Sequence, residues 1–395
     1  MGRLLLILAL AATQAAPSIK PGGLVDGIAC ASDPSQTYAL YLPSTYTPDR
    51  QWPLLVVFDP RGRGAQAAAI FQEAAERLGW IVAGSNNTRS DGPWEPNRRA
   101  VAAMLPDLFG RLPVDTARVY AAGFSGGGGV AWALARESGQ LAGIITVGMP
   151  EPGKESGTPR VAWFGAAGRH DFNFLDAKAT YARMTGVPRR VEFFDGGHQW
   201  FPSAMAARAL DWFEGLAAGA ADSGAEGSLP PPSRDEERAE QGERQRRGEI
   251  GRALMQLYET DLPLLPELRG ALKIATLQRQ AVGSGAAADA AQRSLELIFV
   301  QTSVYLPADL ESKKRFAAAA RALEVAASTH PDRAHVWHDL AAAQAMSGSR
   351  REALRSLERA VDLGLTGRAA VERDTRFDPI RADPAFAALL ARIPA

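Results

Sequence analysis

The chain has 395 residues, 46% apolar and 22% charged, with Lys+Arg and Asp+Glu equal at 44 each. That length asks for two or three domains, and the composition is that of a globular protein with a buried core. The balanced charge argues against nucleic acid or an anionic membrane surface as a partner, and a single cysteine, Cys30, excludes an intrachain disulfide.

The first segment, "MGRLLLILALAATQAAPS", has one positive charge at Arg3, an apolar stretch from Leu4 to Ala12 and small residues up to Pro17. This is the layout of a secretory signal peptide, so residues 1–16 are expected to be removed and the mature protein to be secreted or periplasmic. The apolar stretch is too short to cross a bilayer, and no other segment approaches about 20 uninterrupted apolar residues, so no membrane span is expected. Cys30 follows "VDGIA", whose Asp26 speaks against a lipid-anchor signal, and is expected to be a buried free thiol.

Residues 17–216 form the first domain, and from about residue 36 onward they alternate between two kinds of pattern. Strands are predicted at 37–43, 53–59, 79–85, 118–124, 141–149, 160–166 and 189–195, several of them continuous apolar runs such as "PLLVVFD". Such runs fit strands covered on both faces. Helical patterns lie between and after them, at 64–78, 97–110, 127–138, 175–184 and 201–216. The alternation predicts a mostly parallel sheet with helices on both faces.

Residues 217–242 open with "AAGAADSGAEGSLPPPSR", which has the composition of a linker, and continue into a charged stretch that reads as the start of a solvated helix. From 243 to 395 only Ala/Leu-rich helical patterns are visible. Counted from Ala334, the residues Trp337, Leu340, Ala341, Ala353, Leu357 and Ala360 occupy positions 4, 7, 8, 20, 24 and 27. These are interlocking positions of a 34-residue tetratricopeptide unit, which this segment resembles. The preceding segment repeats the second half of the pattern with Ala319, Leu323, Ala326 and Pro331. Stacked repeats of this kind present concave surfaces, so a protein or peptide partner is expected there.

The chemistry concentrates in three places. "RVYAAGFSGGGG" (118–129) places Gly123-Phe124-Ser125-Gly126-Gly127 between a buried strand and a helix. A G-x-S-x-G in that setting is a nucleophile elbow: a sharp turn that exposes the serine hydroxyl and requires small neighbours. The backbone N–H of Gly126, at the helix start, is then a candidate oxyanion donor. The base and acid should follow in the order Ser, Asp/Glu, His. Of the five histidines, His170 and His198 lie in this half of the chain. His198, in "DGGHQWF" before the last helix of the domain, fits the position of the base, whereas His170 would have to precede the acid. Asp171, on the loop after the strand "RVAWFGA", is the leading acid, with Asp176 and Asp195 as competitors. The second oxyanion donor is expected on "DPRGRGA" (59–65), at the N–H of Arg61 or Gly62, since Pro60 has none to give. The loop 85–97 is a candidate wall of a substrate mouth. His335, His338 and Asp339 sit close on one helix but offer no convincing third ligand, so no metal is expected.

With "GFSGGG", "GRHDFN" and "GGHQWF" in place, residues 36–216 resemble the α/β-hydrolase superfamily, in particular its secreted polyhydroxybutyrate-depolymerase and feruloyl-esterase-like branch. The resemblance implies an α/β-hydrolase domain over this span; the C-terminal half falls outside it and resembles tetratricopeptide-repeat proteins instead, so an all-α tetratricopeptide-like region is expected to follow the α/β domain. The hydrolase resemblance also implies hydrolysis of a small or polymeric carboxylic ester through an acyl-serine, without cofactor or metal. A prolyl-oligopeptidase-like peptidase shares the same fold and order of residues. A binding protein on a non-catalytic hydrolase scaffold is the reading from a different class. Many hydrolases carry His-Gly where this chain has Asp59-Pro60, a departure that bears on the oxyanion geometry.

Overall fold

The computed structural model describes residues 19–90, 93–151, 159–219 and 231–394. The signal-peptide expectation (1–16) and most of the Ala/Gly/Ser-rich linker lie outside them. Among the described residues no helix is long and apolar enough to cross a membrane.

Eight strands form one sheet: β1 (Leu24–Ala29), β2 (Thr37–Tyr41), β3 (Trp52–Phe58), β4 (Ile81–Ser85), β5 (Val114–Phe124), β6 (Gly143–Val147), β7 (Ala162–Gly168) and β8 (Arg189–Phe194). Their spatial order is β1-β2-β4-β3-β5-β6-β7-β8. β2 runs antiparallel to β1 and β4, while β4, β3, β5, β6 and β7 are mutually parallel. The sheet is thus mostly parallel, as the alternation of apolar runs and helical patterns predicts. Every residue of β3, β4 and β6 is buried, the burial that their unbroken apolar runs foretell. Each fully buried Leu, Val or Ile side chain there contributes about 1.5–3 kcal/mol.

Parallel neighbours need crossovers, and helices supply them. α1 (Gly64–Leu78) links β3 to β4, α2 (Glu95–Arg111) links β4 to β5, and α3 (Gly126–Ser138) links β5 to β6. α4 (Phe174–Arg183) joins β7 to β8, and α5 (Ser203–Ala217) follows β8. β1 is the strand that the sequence pattern missed. Asp26 and Gly27 interrupt its apolar run, and its pairing with β2 is irregular between Val25 and Ile28. Cys30, just after β1, is buried, and that burial together with the Asp107 carboxylate pushes its thiol up to about 11.

Beyond the sheet the chain is helical: α6 (Arg234–Met255), α7 (Leu265–Ala271), α8 (Ile274–Ala281), α9 (Ala286–Val300), α10 (Leu306–Ser312), α11 (Phe316–Thr329), α12 (Ala334–Met346), α13 (Arg350–Asp362), α14 (Arg368–Arg373) and α15 (Pro384–Arg392). The charged stretch read as a helix start is the first half of α6. It opens on a capping box in which the Ser233 hydroxyl accepts from the Glu236 N–H and the Glu236 carboxylate accepts from the Ser233 N–H. α12 packs on α11 and, through a three-residue connection, on α13. Leu340, Ala341, Ala353, Leu357 and Ala360, five of the six positions that suggested a helical repeat, are buried there.

Compactness does not follow chain order. Within the described residues one unit comprises the chain through Ala166, then Thr180–Glu192, then 200–219; the other comprises Ala167–Ala179, Phe193–Gln199 and 231–394. The loops after β7 and β8 therefore belong to the same compact unit as α6–α15.

Candidate active site

Ser125 stands between the end of β5 and the start of α3, with φ 51° and ψ −126°. A positive φ is uncommon for a residue with a side chain and persists only where the surroundings impose it. Here the Ser125 N–H donates to Val147 O on β6 (2.9 Å), and Ser125 O accepts from the N–H groups of Gly128 (2.8 Å) and Gly129 (3.2 Å). The turn leaves no room for side chains at its flanks. A Cβ at Gly123 would lie 2.1 Å from Gly127 O, and one at Gly127 would lie 1.9 Å from Phe58 O on β3. At Gly126 a Cβ would meet Ser90, and at Gly128 the Met149 side chain, so four of the five glycines around the serine are required by close approach. Gly126 opens α3, and an N–H in the first turn has no partner within its own helix.

The loop after β3 is organised by Asp59, which is buried to 1% exposure. Its carboxylate accepts from the Arg61 N–H (2.9 Å), Arg63 Nε and Nη2 (both 2.9 Å) and Trp200 Nε1 (3.0 Å). The Gly62 N–H donates to Asp59 O (3.1 Å). Both proposed second oxyanion donors, Arg61 and Gly62, thus already have an acceptor on Asp59. Burial alone raises the Asp59 carboxyl, but Arg63, Trp200 and the Arg61 N–H outweigh it and hold the group below the usual carboxylate range. Trp200 also packs on Phe124, the residue before the serine, at 5.8 Å between ring centroids. Asp59 stands where the sequence departs from His-Gly; its partner Trp200 lies 141 residues away, so no local signal could reveal the bond.

Asp171 and His198, the residues expected to serve as acid and base, meet in the other unit. Asp171 is fully buried, and both its carboxylate oxygens lie 3.0 Å from His198 Nδ1. The same carboxylate accepts from the Asn173 N–H at 2.8 Å. The two loops that carry the pair are stitched by Arg169 N–H to Phe194 O (2.8 Å) and His170 N–H to Gly196 O (2.9 Å). Gly168 permits this, because a Cβ there would stand 2.3 Å from Gly196 O and 2.4 Å from Gly197 O. The Phe172 ring covers the imidazole at 4.6 Å.

The rival acids are engaged elsewhere. Asp176 pairs with Arg247 at 2.7 Å, and the exposed Asp195 pairs with Arg169 at 3.4 Å. His170 Nε2 lies 3.1 Å from Asp289 on α9. In the loop 85–97, the Asn86 and Asn97 side chains hold backbone: Asn86 Oδ1 accepts from the Gly64 N–H, and Asn97 bonds both the N–H and the carbonyl of Arg89. His338 lies against Asp339 (3.1 Å), within an ion-pair cluster of Arg376, Asp339 and Asp374. Among the described residues no group of three or more His, Cys, Asp and Glu side chains is arranged to hold a metal ion. A cavity of about 850 Å³ opens at the start of β5, lined by Val114, Thr116 and Leu141, at the opposite end of that strand from Ser125.

No family model matches the chain, and no curated protein matches it. Solved structures match over about half of it. A ferulic acid esterase is 20% identical with a TM-score of 0.39, covering 45% of this chain and 91% of its own. S-formylglutathione hydrolase from Staphylococcus aureus is 14% identical with a TM-score of 0.39, covering 49% of this chain and 98% of its own. An esterase from the archaeon Pyrobaculum calidifontis is 12% identical with a TM-score of 0.39, covering 50% and 87%.

Proposed function

We propose that the protein is a serine hydrolase that cleaves a carboxylic ester, with Ser125 as nucleophile, His198 as base and Asp171 as the carboxylate that orients it. The observation that carries this reading is the buried Asp171 carboxylate on His198 Nδ1. That bond keeps the proton on Nδ1 and leaves Nε2 as the basic nitrogen. A second feature supports it: a serine held at positive φ at the end of a parallel strand, where a nucleophile elbow has its hydroxyl.

In the reaction His198 Nε2 takes the Ser125 Oγ proton as Oγ bonds to the ester carbonyl carbon. The developing oxyanion is met by the Gly126 N–H. Collapse of the tetrahedral intermediate breaks the bond to the alcohol, which leaves with the proton from His198 and gives an acyl-serine. Water then attacks through the same base, releasing the acid and restoring Ser125. Asp171 stays ionised throughout and stabilises the imidazolium. Residues 1–16 are proposed as a signal peptide and α12–α13 as a tetratricopeptide-like unit offering a surface to a peptide.

The test is turnover by the purified full-length chain of p-nitrophenyl esters of graded acyl length beside aminoacyl p-nitroanilides. Ester hydrolysis is expected, falling about 10³-fold or more in Ser125→Ala and in His198→Ala. Undiminished turnover in Ser125→Ala would sink the proposal, and a preference for the anilides would favour the peptidase reading.

A further inference from the structure

We propose that Arg247 and Arg293 are positioning residues of the proposed esterase: α6 and α9 clamp the loop that carries Asp171, so that the acid is set by the helical C-terminal segment and not by the sheet alone. The inference rests on the serine-hydrolase reading above.

The clamp is built on one buried carboxylate. Glu243 on α6 is 1% exposed and receives two guanidinium groups. Arg293, from α9 and 4% exposed, gives it Nε (2.8 Å) and Nη2 (2.7 Å). Arg247, one turn along α6, gives it Nη2 at 3.3 Å. Each arginine also donates to the segment around Asp171. Arg293 Nη1 donates to Arg169 O (2.8 Å), and its guanidinium lies over the Phe174 ring at 4.5 Å. Arg247 Nη2 donates to Phe172 O, and its Nη1 to Asp176 (2.7 Å). The two carbonyls held in this way, at 169 and 172, flank Asp171 on either side. Phe172 is also the residue whose ring lies against His198.

Three properties make this more than helix packing. Backbone carbonyls of a loop turned inward must be satisfied, and here two are satisfied by fixed guanidinium forks rather than by the loop itself. A buried carboxylate is tolerated only while its partners stay in place, so Glu243 holds the two arginines in a single geometry. Two further contacts tie this segment to the same two helices: His170 Nε2 to Asp289 on α9 (3.1 Å) and Lys178 of α4 to Glu240 on α6. Loss of the clamp frees the Asp171 carboxylate to shift relative to Nδ1, and a displacement of about 1 Å in a catalytic constellation costs on the order of 100-fold.

The experiment uses the full chain and a fluorophosphonate as the probe of Ser125, with rate and amplitude of labelling read separately. Arg247→Gln, at a half-buried site, removes the donor to Phe172 O; Arg293→Gln removes the donor to Arg169 O. For both, the labelling rate and the ester kcat are expected to fall about 10- to 100-fold with KM within about twofold, while labelling still reaches one adduct per chain. Arg247→Lys, which keeps a cation and a donor nitrogen, is expected to recover most of the rate. A purely structural role predicts the reverse: reduced amplitude from misfolded chains with a normal rate in the remainder. That outcome, or wild-type rates in Arg247→Gln, overturns the proposal. Absence of any adduct on Ser125 in the wild-type chain overturns the hydrolase reading instead, and the two failures are distinguishable.

Discussion

Gly127 and Gly129 sit two residues apart in the first turn of α3, and a methyl group is expected to act oppositely at them. At Gly127 a Cβ would lie 1.9 Å from Phe58 O, a backbone atom that cannot move without displacing β3. At Gly129 its nearest contact is the Met149 methyl carbon at 3.6 Å, which is ordinary packing. Gly127→Ala should therefore destabilise the fold by about 3 kcal/mol or more and abolish activity. Gly129→Ala should leave activity intact and stabilise by up to about 1 kcal/mol, the usual cost of glycine in a helix. Urea midpoints and ester turnover of the two variants check this. The sequence alone explains the glycines adjoining the serine by the elbow; it offers no account of Gly128, whose neighbour Met149 lies two residues beyond the end of β6.

At the scale of elements, what was legible depended on how local the cause is. The span 64–78 predicted for α1 is the span observed, because apolar periodicity and a closing glycine are local signals. β1 was illegible because Asp26-Gly27 breaks the run, and the strand forms by pairing with β2. The loop after β3 shows the same limit. Its aspartate was visible, but its role depends on Trp200, far along the chain. This loop carries a pH prediction. The folded-state pKa of Asp59 is depressed, so its contribution is present above the ordinary carboxylate pKa near 4 and lost as pH falls through the lower folded value. Asp59→Asn should cost about 2 kcal/mol at neutral pH, the range of hydrogen bonds to a charged group. The gap between wild type and variant in urea midpoint should stay constant above about pH 5 and narrow below about pH 4. A gap independent of pH down to 2 would contradict the assignment.

For the whole molecule, the division by chain order that the composition suggests, sheet first and helices after, is not how the residues pack. The segments 167–179 and 193–199 are compact with α6–α15, and they are the ones that carry Asp171 and His198. Their partners on α6 and α9 lie far away in sequence, Arg293 being 124 residues from the Arg169 carbonyl it binds. Spacing rules could propose an acid and a base but not what holds them. The helical segment is accordingly proposed to serve catalysis as well as any partner it binds. All of this rests on Ser125 being the reactive nucleophile. The most direct measurement is mass spectrometry of the intact chain after exposure to a fluorophosphonate, followed by peptide mapping. One adduct per chain is expected, on the peptide containing Ser125, and none in Ser125→Ala. An unmodified folded chain, or an adduct on a different residue, would contradict it.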